Sequence, residues 1–191
     1  MALNAYLRLK GIQQGEIKGS VTQKGREGKI MVVACDHEVV SPRDPASGQA
    51  TGKRQHKPFT IVKEIDQSTP LLYRALVNNE TITEWELQFW TPQVKTTTGA
   101  GTEVQHYTVR LGGVHICAIH FSQHDNRNPD LVKYAESESV SFTYSHIEWL
   151  WVKGGITTSD DWQAPTTAAK PAKAAKVTKS AKPGKASKPR A

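Results

Sequence analysis

Acidic residues end at Asp161, aromatic residues end at Trp162, and only two cysteines, Cys35 and Cys117, occur in the 191 residues. Two thiols cannot build a disulfide framework, which excludes small stapled secreted scaffolds and fits folding in a reducing cytoplasm. Long apolar runs are missing as well. The longest, IMVVAC at 30–35, falls far short of the roughly 20 residues that a spanning helix needs, so no membrane insertion is expected. MALNAYLRLKGI has no continuous apolar core of a secretory signal, so any export is expected to bypass the general secretory route.

The missing acids divide the chain. Its formal net charge is +7, and residues 164–191 carry seven Lys and one Arg without an Asp or Glu, so the first 163 residues sum to −1. The basic character thus belongs to the terminal segment alone. Lys170, Lys173, Lys176, Lys179, Lys182, Lys185 and Lys188 fall on every third residue, with Arg190 behind them. A three-residue step turns about 300° around an α-helix and would spread these lysines over its whole surface. In a polyproline II helix, with about three residues per turn, they form one stripe. Ala, Lys, Pro, Thr and Ser cannot bury enough apolar surface to offset ordering entropy. A disordered basic tail over 163–191 is therefore expected, suited to nucleic acid or an acidic partner, or serving solubility alone.

What is present before residue 163 reads mainly as strand. Leu3, Ala5, Leu7 and Leu9 alternate with Asn4, Tyr6, Arg8 and Lys10, the period of a half-buried strand. IMVVACDHEVV, FTIVKEI, ITEWELQFW, VQHYTVRL, VHICAIHF and SVSFTYSHIEWLW follow, rich in β-branched and aromatic residues. In the last of these, Val140, Phe142 and Tyr144 keep one parity while Ile147, Trp149 and Trp151 take the other, which predicts a bend near residues 145–146. One helix is predicted: Ser68 or Thr69 caps it, Pro70 suits the first turn, Leu71, Leu72, Ala75 and Leu76 form an apolar stripe, and Asn78 and Asn79 stop it. A short turn is expected from residue 128 to about 135. The expected fold is mainly β: a closed or nearly closed β-barrel of about seven strands, with one α-helix packed outside, over 1–162.

No active site assembles from the motifs. GQATGKR at 48–54 lacks the glycine spacing, the Ser or Thr after the lysine and the following helix of a phosphate loop. The GAG at 99–101 carries only two glycines of a dinucleotide fingerprint and reads as a hairpin turn. His115 and Cys117 share a strand face that His120 does not, and His124 lies beyond them. Cys35 and His37 share a face, but Asp36 points away from both. Glu84 and Glu86 form a one-face carboxylate pair of the kind exposed strands commonly carry. No enzyme, cofactor or metal is expected.

TGKRQHKPFTIVKEIDQSTPLLYRALVNNE at 51–80, KYAESESVSFTYSHIEWLW at 133–151 and GGITTSDDW at 154–162 closely resemble the Hcp family, the tube protein of bacterial type VI secretion systems. The resemblance covers about residues 1–162. It implies a two-sheet β-barrel with a flanking helix, homohexameric rings that stack into a hollow tube, a surrounding contractile sheath, a VgrG spike as cap, and small effectors in the lumen. It also implies assembly in the bacterial cytoplasm followed by secretion. SPRDPASGQATGKRQHKPF at 41–59 is too long and polar for a simple barrel connection, and the corresponding family loop makes subunit and ring contacts. Arg54, His56 and Lys57 are its expected interface residues, with Arg43 and Lys53 secondary. The tail departs from the family pattern. A second function class, a basic-tailed nucleic-acid or polyanion binder using the barrel as scaffold, stands beside the tube subunit.

Overall fold

The computed structural model describes residues 4–93 and 102–162. The lysine series, the expected tail and the GAG turn lie outside the described residues. Strands run in the order β1 (Ala5–Gly11), β2 (Gly15–Ile17), β3 (Ile30–Val32), β4 (Ala34–Asp36), β5 (Val39–Val40), β6 (Gln55–His56) and β7 (Phe59–Glu64). After helix α1 (Thr69–Val77) come β8 (Ile82–Gln93), β9 (Thr102–Gly112), β10 (His115–Ser122), β11 (Ser137–Thr143), β12 (His146–Trp151) and β13 (Ile156–Asp161). The larger sheet has the order β13-β12-β9-β8-β1-β2, with β3 also on β1. The smaller has the order β10-β11-β7-β4, and β5 pairs with β6 as a separate ribbon.

The fold is the expected mainly β, two-sheet architecture with one flanking helix, but several expected single strands are divided. IMVVACDHEVV becomes β3, β4 and β5, because the chain leaves the large sheet at Val33 and joins the small one, where the Val33 amide donates to the Val62 carbonyl at 2.8 Å. A continuous apolar run gives no parity break that would mark this crossing. The predicted bend near 145–146 is present: β11 lies in the small sheet and β12 in the large one. A third crossing separates β9 from β10 at Gly113, whose φ is +61° and whose added Cβ would strike the Ser145 hydroxyl. Glycine is required there on both grounds. β13 was not expected as a strand, since ITTSDD has no apolar alternation; pairing with β12 along Ile156 to Asp161 makes it one.

The inward faces of both sheets fill one core. Leu7, Leu9, Ile61, Leu87, Val140 and Phe142 are fully buried, and Trp85 stacks edge-on against Phe59 and Phe142 at 4.9 and 5.6 Å between ring centres. Such pairs add about 0.5–1.5 kcal/mol beyond area burial. Tyr6, on the polar side of the β1 pattern, is buried too. The segment between β2 and β3 folds over it, and Arg26 lies across the Tyr6 and Trp90 rings at 4.9 and 4.1 Å.

Helix α1 carries the expected stripe: Leu72 and Ala75 are buried, and Leu71 and Leu76 pack against the core. Pro70 sits in its first turn, and Asn79, at φ 48°, ends it. The cap differs from expectation. Ser68 holds the N-cap position without a side-chain bond to the helix, because its hydroxyl donates to the Asp66 carboxylate instead. Asp66 belongs to a sealed polar cluster beneath the helix start. Lys63 and Glu138 are both fully buried. Their Nζ and Oε1 are 2.8 Å apart, Lys63 also meets Asp66 at 3.0 Å, and the Thr69 hydroxyl donates to Glu138 Oε1 at 2.8 Å. Burial pushes the Asp66 carboxyl up, but hydrogen bonds from Ser68 and Lys63 outweigh it and hold the group below its ordinary range.

Candidate functional site

Residues 41–59 fold as a basic arm. Val39 pairs with His56 and Val40 with Gln55, and the ladder continues at both ends: the Lys57 amide donates to the Glu38 carbonyl at 2.9 Å and the Thr51 amide to the Pro42 carbonyl at 3.0 Å. Arg43 bridges to Ala50 nearer the tip. At the tip, Asp44 accepts from the Ser47 amide at 3.0 Å and from its hydroxyl, while Arg43 Nη1 reaches the Gly48 carbonyl at 3.0 Å. The Ser47 hydrogen bond keeps the Asp44 carboxyl below its ordinary range. The polar sequence thus forms a hairpin through local hydrogen bonds, with no apolar core of its own.

A chain of side chains anchors the root of the arm. Arg54 clamps the Asp160 carboxylate through Nε and Nη2, and Nη2 also donates to the Asp161 carbonyl at 2.8 Å. His56 Nε2 lies 2.9 Å from Asp160, and its Nδ1 lies 2.9 Å from the Tyr144 hydroxyl. His37 Nε2 reaches the same hydroxyl at 2.5 Å, its ring stacked 5.0 Å from Phe59. Four segments supply the anchor: the arm itself, the link between β4 and β5 that carries His37, the crossing between β11 and β12, and the edge strand β13. It therefore ties the arm, which grows from the small sheet, to the rim of the large one.

The electrostatics follow from this geometry. Burial works against the charge of Asp160, yet Arg54 and then His56 outweigh it and hold the carboxyl below its ordinary range. Burial, with Asp160 behind it, pushes the Tyr144 hydroxyl well above its usual value, so the phenol stays protonated. Burial and then His56 hold the His37 imidazole below its ordinary range, against the pull of Asp36. An ionised Asp160 only accepts hydrogen bonds, so His56 carries its proton on Nε2. In the neutral ring Nδ1 is then bare and accepts from Tyr144, whose oxygen accepts from His37.

The five arm residues expected at an interface separate into two groups. Arg54 and His56 face inward and hold the arm. Lys53 and Lys57 are exposed and form no ion pair among the described residues, and Arg43 is exposed at the tip. The arm carries four cations against Asp44 alone, a net +3 over 41–59. Sequence reasoning missed His37, Tyr144 and Asp160 as anchor residues. Tyr144 and Asp160 lie in the FTYSH and SDDW stretches that carried the family resemblance, which was the available signal.

The other clusters stay apart. Cys35 and Cys117 are exposed, the latter donating weakly to the Ser141 carbonyl at 3.3 Å. Among the described residues no group of three or more His, Cys, Asp or Glu side chains has a metal-holding arrangement. Glu84 is paired with Arg8 and Lys10 at 3.3 and 3.5 Å, and Glu86 with Arg110 at 2.9 Å. Both carboxylates are committed to a ladder of charges across the large sheet.

A two-sheet β domain that projects a fixed basic hairpin from one rim presents loops and strand edges of the kind through which building blocks meet neighbours. Comparison gives the family. The family described as "Type VI secretion system effector, Hcp" matches residues 6–151, and the chain belongs to it. The Major exported protein of Pseudomonas aeruginosa is 38% identical over 174 residues, covering 86% of this chain and 98% of the relative. A crystal structure of an Hcp protein aligns with a TM-score of 0.76 at 28% identity, over 86% of this chain and 100% of its own. The Hcp1 protein of the E. coli EAEC 042 pathovar aligns at 0.72 and 35% identity, over 84% of this chain and 99% of its own. The chain is thus a tube protein of the type VI secretion system, an exported one, from a family that self-assembles into rings and tubes.

Proposed function

We propose that the chain forms homohexameric rings in the cytoplasm that stack into a hollow tube, driven outward by a contractile sheath behind a VgrG spike, with small effectors carried in the lumen. Its work is mechanical, with no catalysis and no cofactor. The observation that carries this reading is the anchored arm: Arg54 and His56 fix its root while Lys53, Lys57 and Arg43 face outward. A rigid basic projection is suited to contact a neighbouring copy, because its ordering is complete before association. Sedimentation and negative-stain imaging of the purified chain should give six-membered rings. Lys53→Glu with Lys57→Glu should weaken ring formation or stacking while leaving the fold within about 0.5 kcal/mol of the parent. Unchanged assembly would exclude these two lysines from the contact.

The lysine series at Lys170 to Lys188 with Arg190 supports an added role, binding a polyanion without sequence preference. Six copies in a ring would concentrate eight cations each around one axis. Removing residues 163–191 should abolish duplex DNA binding and leave ring formation intact. Binding by the full chain should fall with salt at a log–log slope of about −0.9 per phosphate neutralised. Equal binding by both chains would remove the tail from this role. The comparisons lend nothing to the wider reading in which the barrel is only a scaffold for nucleic-acid binding.

A further inference from the structure

We propose that His37, Tyr144, His56 and Asp160 form a proton-sensitive latch that holds the basic arm at neutral pH and releases it on acidification. The inference rests on the proposed contact role of the arm and adds its regulation.

Hydrogen-bond direction carries the argument. With both rings neutral the donors run in one direction: His37 Nε2–H to the Tyr144 oxygen, Tyr144 O–H to His56 Nδ1, and His56 Nε2–H to Asp160, which also accepts from Arg54. One added proton can be accommodated. A doubly protonated His56 donates Nδ1–H to the Tyr144 oxygen, Tyr144 turns its hydrogen to His37 Nε2, and His37 moves its own hydrogen to Nδ1. A second proton cannot. With both imidazoles charged, two N–H groups point at one phenol oxygen, and the phenol hydrogen has no acceptor left in the chain. The two cationic rings would also stand 6.5 Å apart between centres, where like charges repel across a partly dry site. Release of His37 relieves both conflicts.

The charges around the pair set the direction. His37 faces Asp36, His56 and Tyr144 along with the Phe59 and Trp149 rings. His56 faces Tyr144, Asp160 and the Trp162 ring. Arg54 is committed to Asp160 and to the Asp161 carbonyl. Because the latched His37 is held below its ordinary range by burial and then His56, the proton prefers the released arm. The latch is at full strength above about pH 6.5, the free imidazole value, and weakens as pH falls toward the latched value. One proton taken up on release makes the open population rise about tenfold per pH unit in that window.

Hydrogen exchange of the full-length chain, read by mass spectrometry from about pH 8 to about pH 4.5 and corrected for intrinsic rates, tests this. Protection of 38–57 should fall by about tenfold per unit below about pH 6, while 137–143 stays protected. His37→Gln keeps an uncharged donor toward Tyr144 and should stay protected at low pH. Tyr144→Phe breaks the chain while leaving Arg54 and His56 on Asp160, so it should lower arm protection at neutral pH and flatten its pH dependence. Arm protection that does not vary with pH, or a His37→Gln arm that opens like the parent, would overturn the latch. Should His37→Gln lose protection at 137–143 as well, the parent decides. Its arm opening must follow the His37 ring resonances, and an offset beyond about one pH unit overturns the proposal. Sedimentation in parallel separates the two readings: an arm that opens while rings persist supports the latch and counts against the arm as a ring contact.

Discussion

Beneath the start of α1, Lys63, Asp66, Thr69 and Glu138 form a polar cluster; at the root of the arm, Arg54, His56, Tyr144, His37 and Asp160 form another. The ingredients are alike, with a cation, at least one carboxylate and a hydroxyl in each. Their surroundings differ. Lys63 and Glu138 are wholly buried, and Glu138 Oε2 has no hydrogen-bond partner among the described residues. The side chains of Arg54 and Asp160 keep 23% and 22% of their exposure. Water cannot replace a lost partner of Lys63 or Glu138 in the first cluster, whereas it can at the rim of the second. The sealed cluster therefore couples to the whole fold, because its residues join β7, β11 and α1. The rim cluster couples to one projection. A charge network reports on the element that excludes water from it.

Breaking the sealed cluster should have the largest effect. Lys63→Ala leaves Glu138 buried without its cation and should cost about 3–5 kcal/mol in urea unfolding. A loss under about 1 kcal/mol would mean that water reaches Glu138 and that the two clusters do not differ in kind. Leu72→Ala, at a fully buried position on the same helix, should cost about 2–5 kcal/mol. Leu76→Ala should cost less, since Leu76 packs against the core only in part. Equal losses would show that the helix sits differently on the barrel.

Smaller global effects are expected at the rim. Asp160→Asn should change global stability by no more than about 1 kcal/mol, yet strip protection from 38–57 in hydrogen exchange and weaken assembly. A large global loss would erase the contrast between the clusters. Asp160 also supplies a pH signature distinct from the histidines. Its folded carboxyl is held below the ordinary range, so its contribution is present above about pH 3.9 and is lost as pH falls through the lower folded value. Parent and Asp160→Asn arms should therefore differ most near neutral pH and converge in strong acid. Parallel profiles would show that the Asp160 charge does not hold the arm.

Much of this was legible in the residue order, and the limits are specific. The alternation in β1 and the stripe on α1 follow from the periods of strand and helix, which any buried face must obey. The parity change after Tyr144 marked a real crossing between sheets. The crossing at Val33 left no mark, because an apolar run satisfies either sheet. The polar ITTSDD became a strand only because β12 offers it a ladder. Arg54 and His56 read as free contact residues, since an exposed, basic stretch does not disclose a carboxylate more than a hundred positions away.

The sequence by itself determined the β character of the chain, the one helix among its described residues, its family and the separation of a basic end from a nearly neutral body. Each depends on composition, local period or long matching stretches. Tertiary structure alone decided which charges are spent inside the molecule and which face outward. Asp160 reaches Arg54 and His56 only after β13 has taken the edge of the large sheet. Glu138 reaches Lys63 only after β11 pairs with β7. Such pairings are set by register between distant strands, and no local property of either partner encodes them.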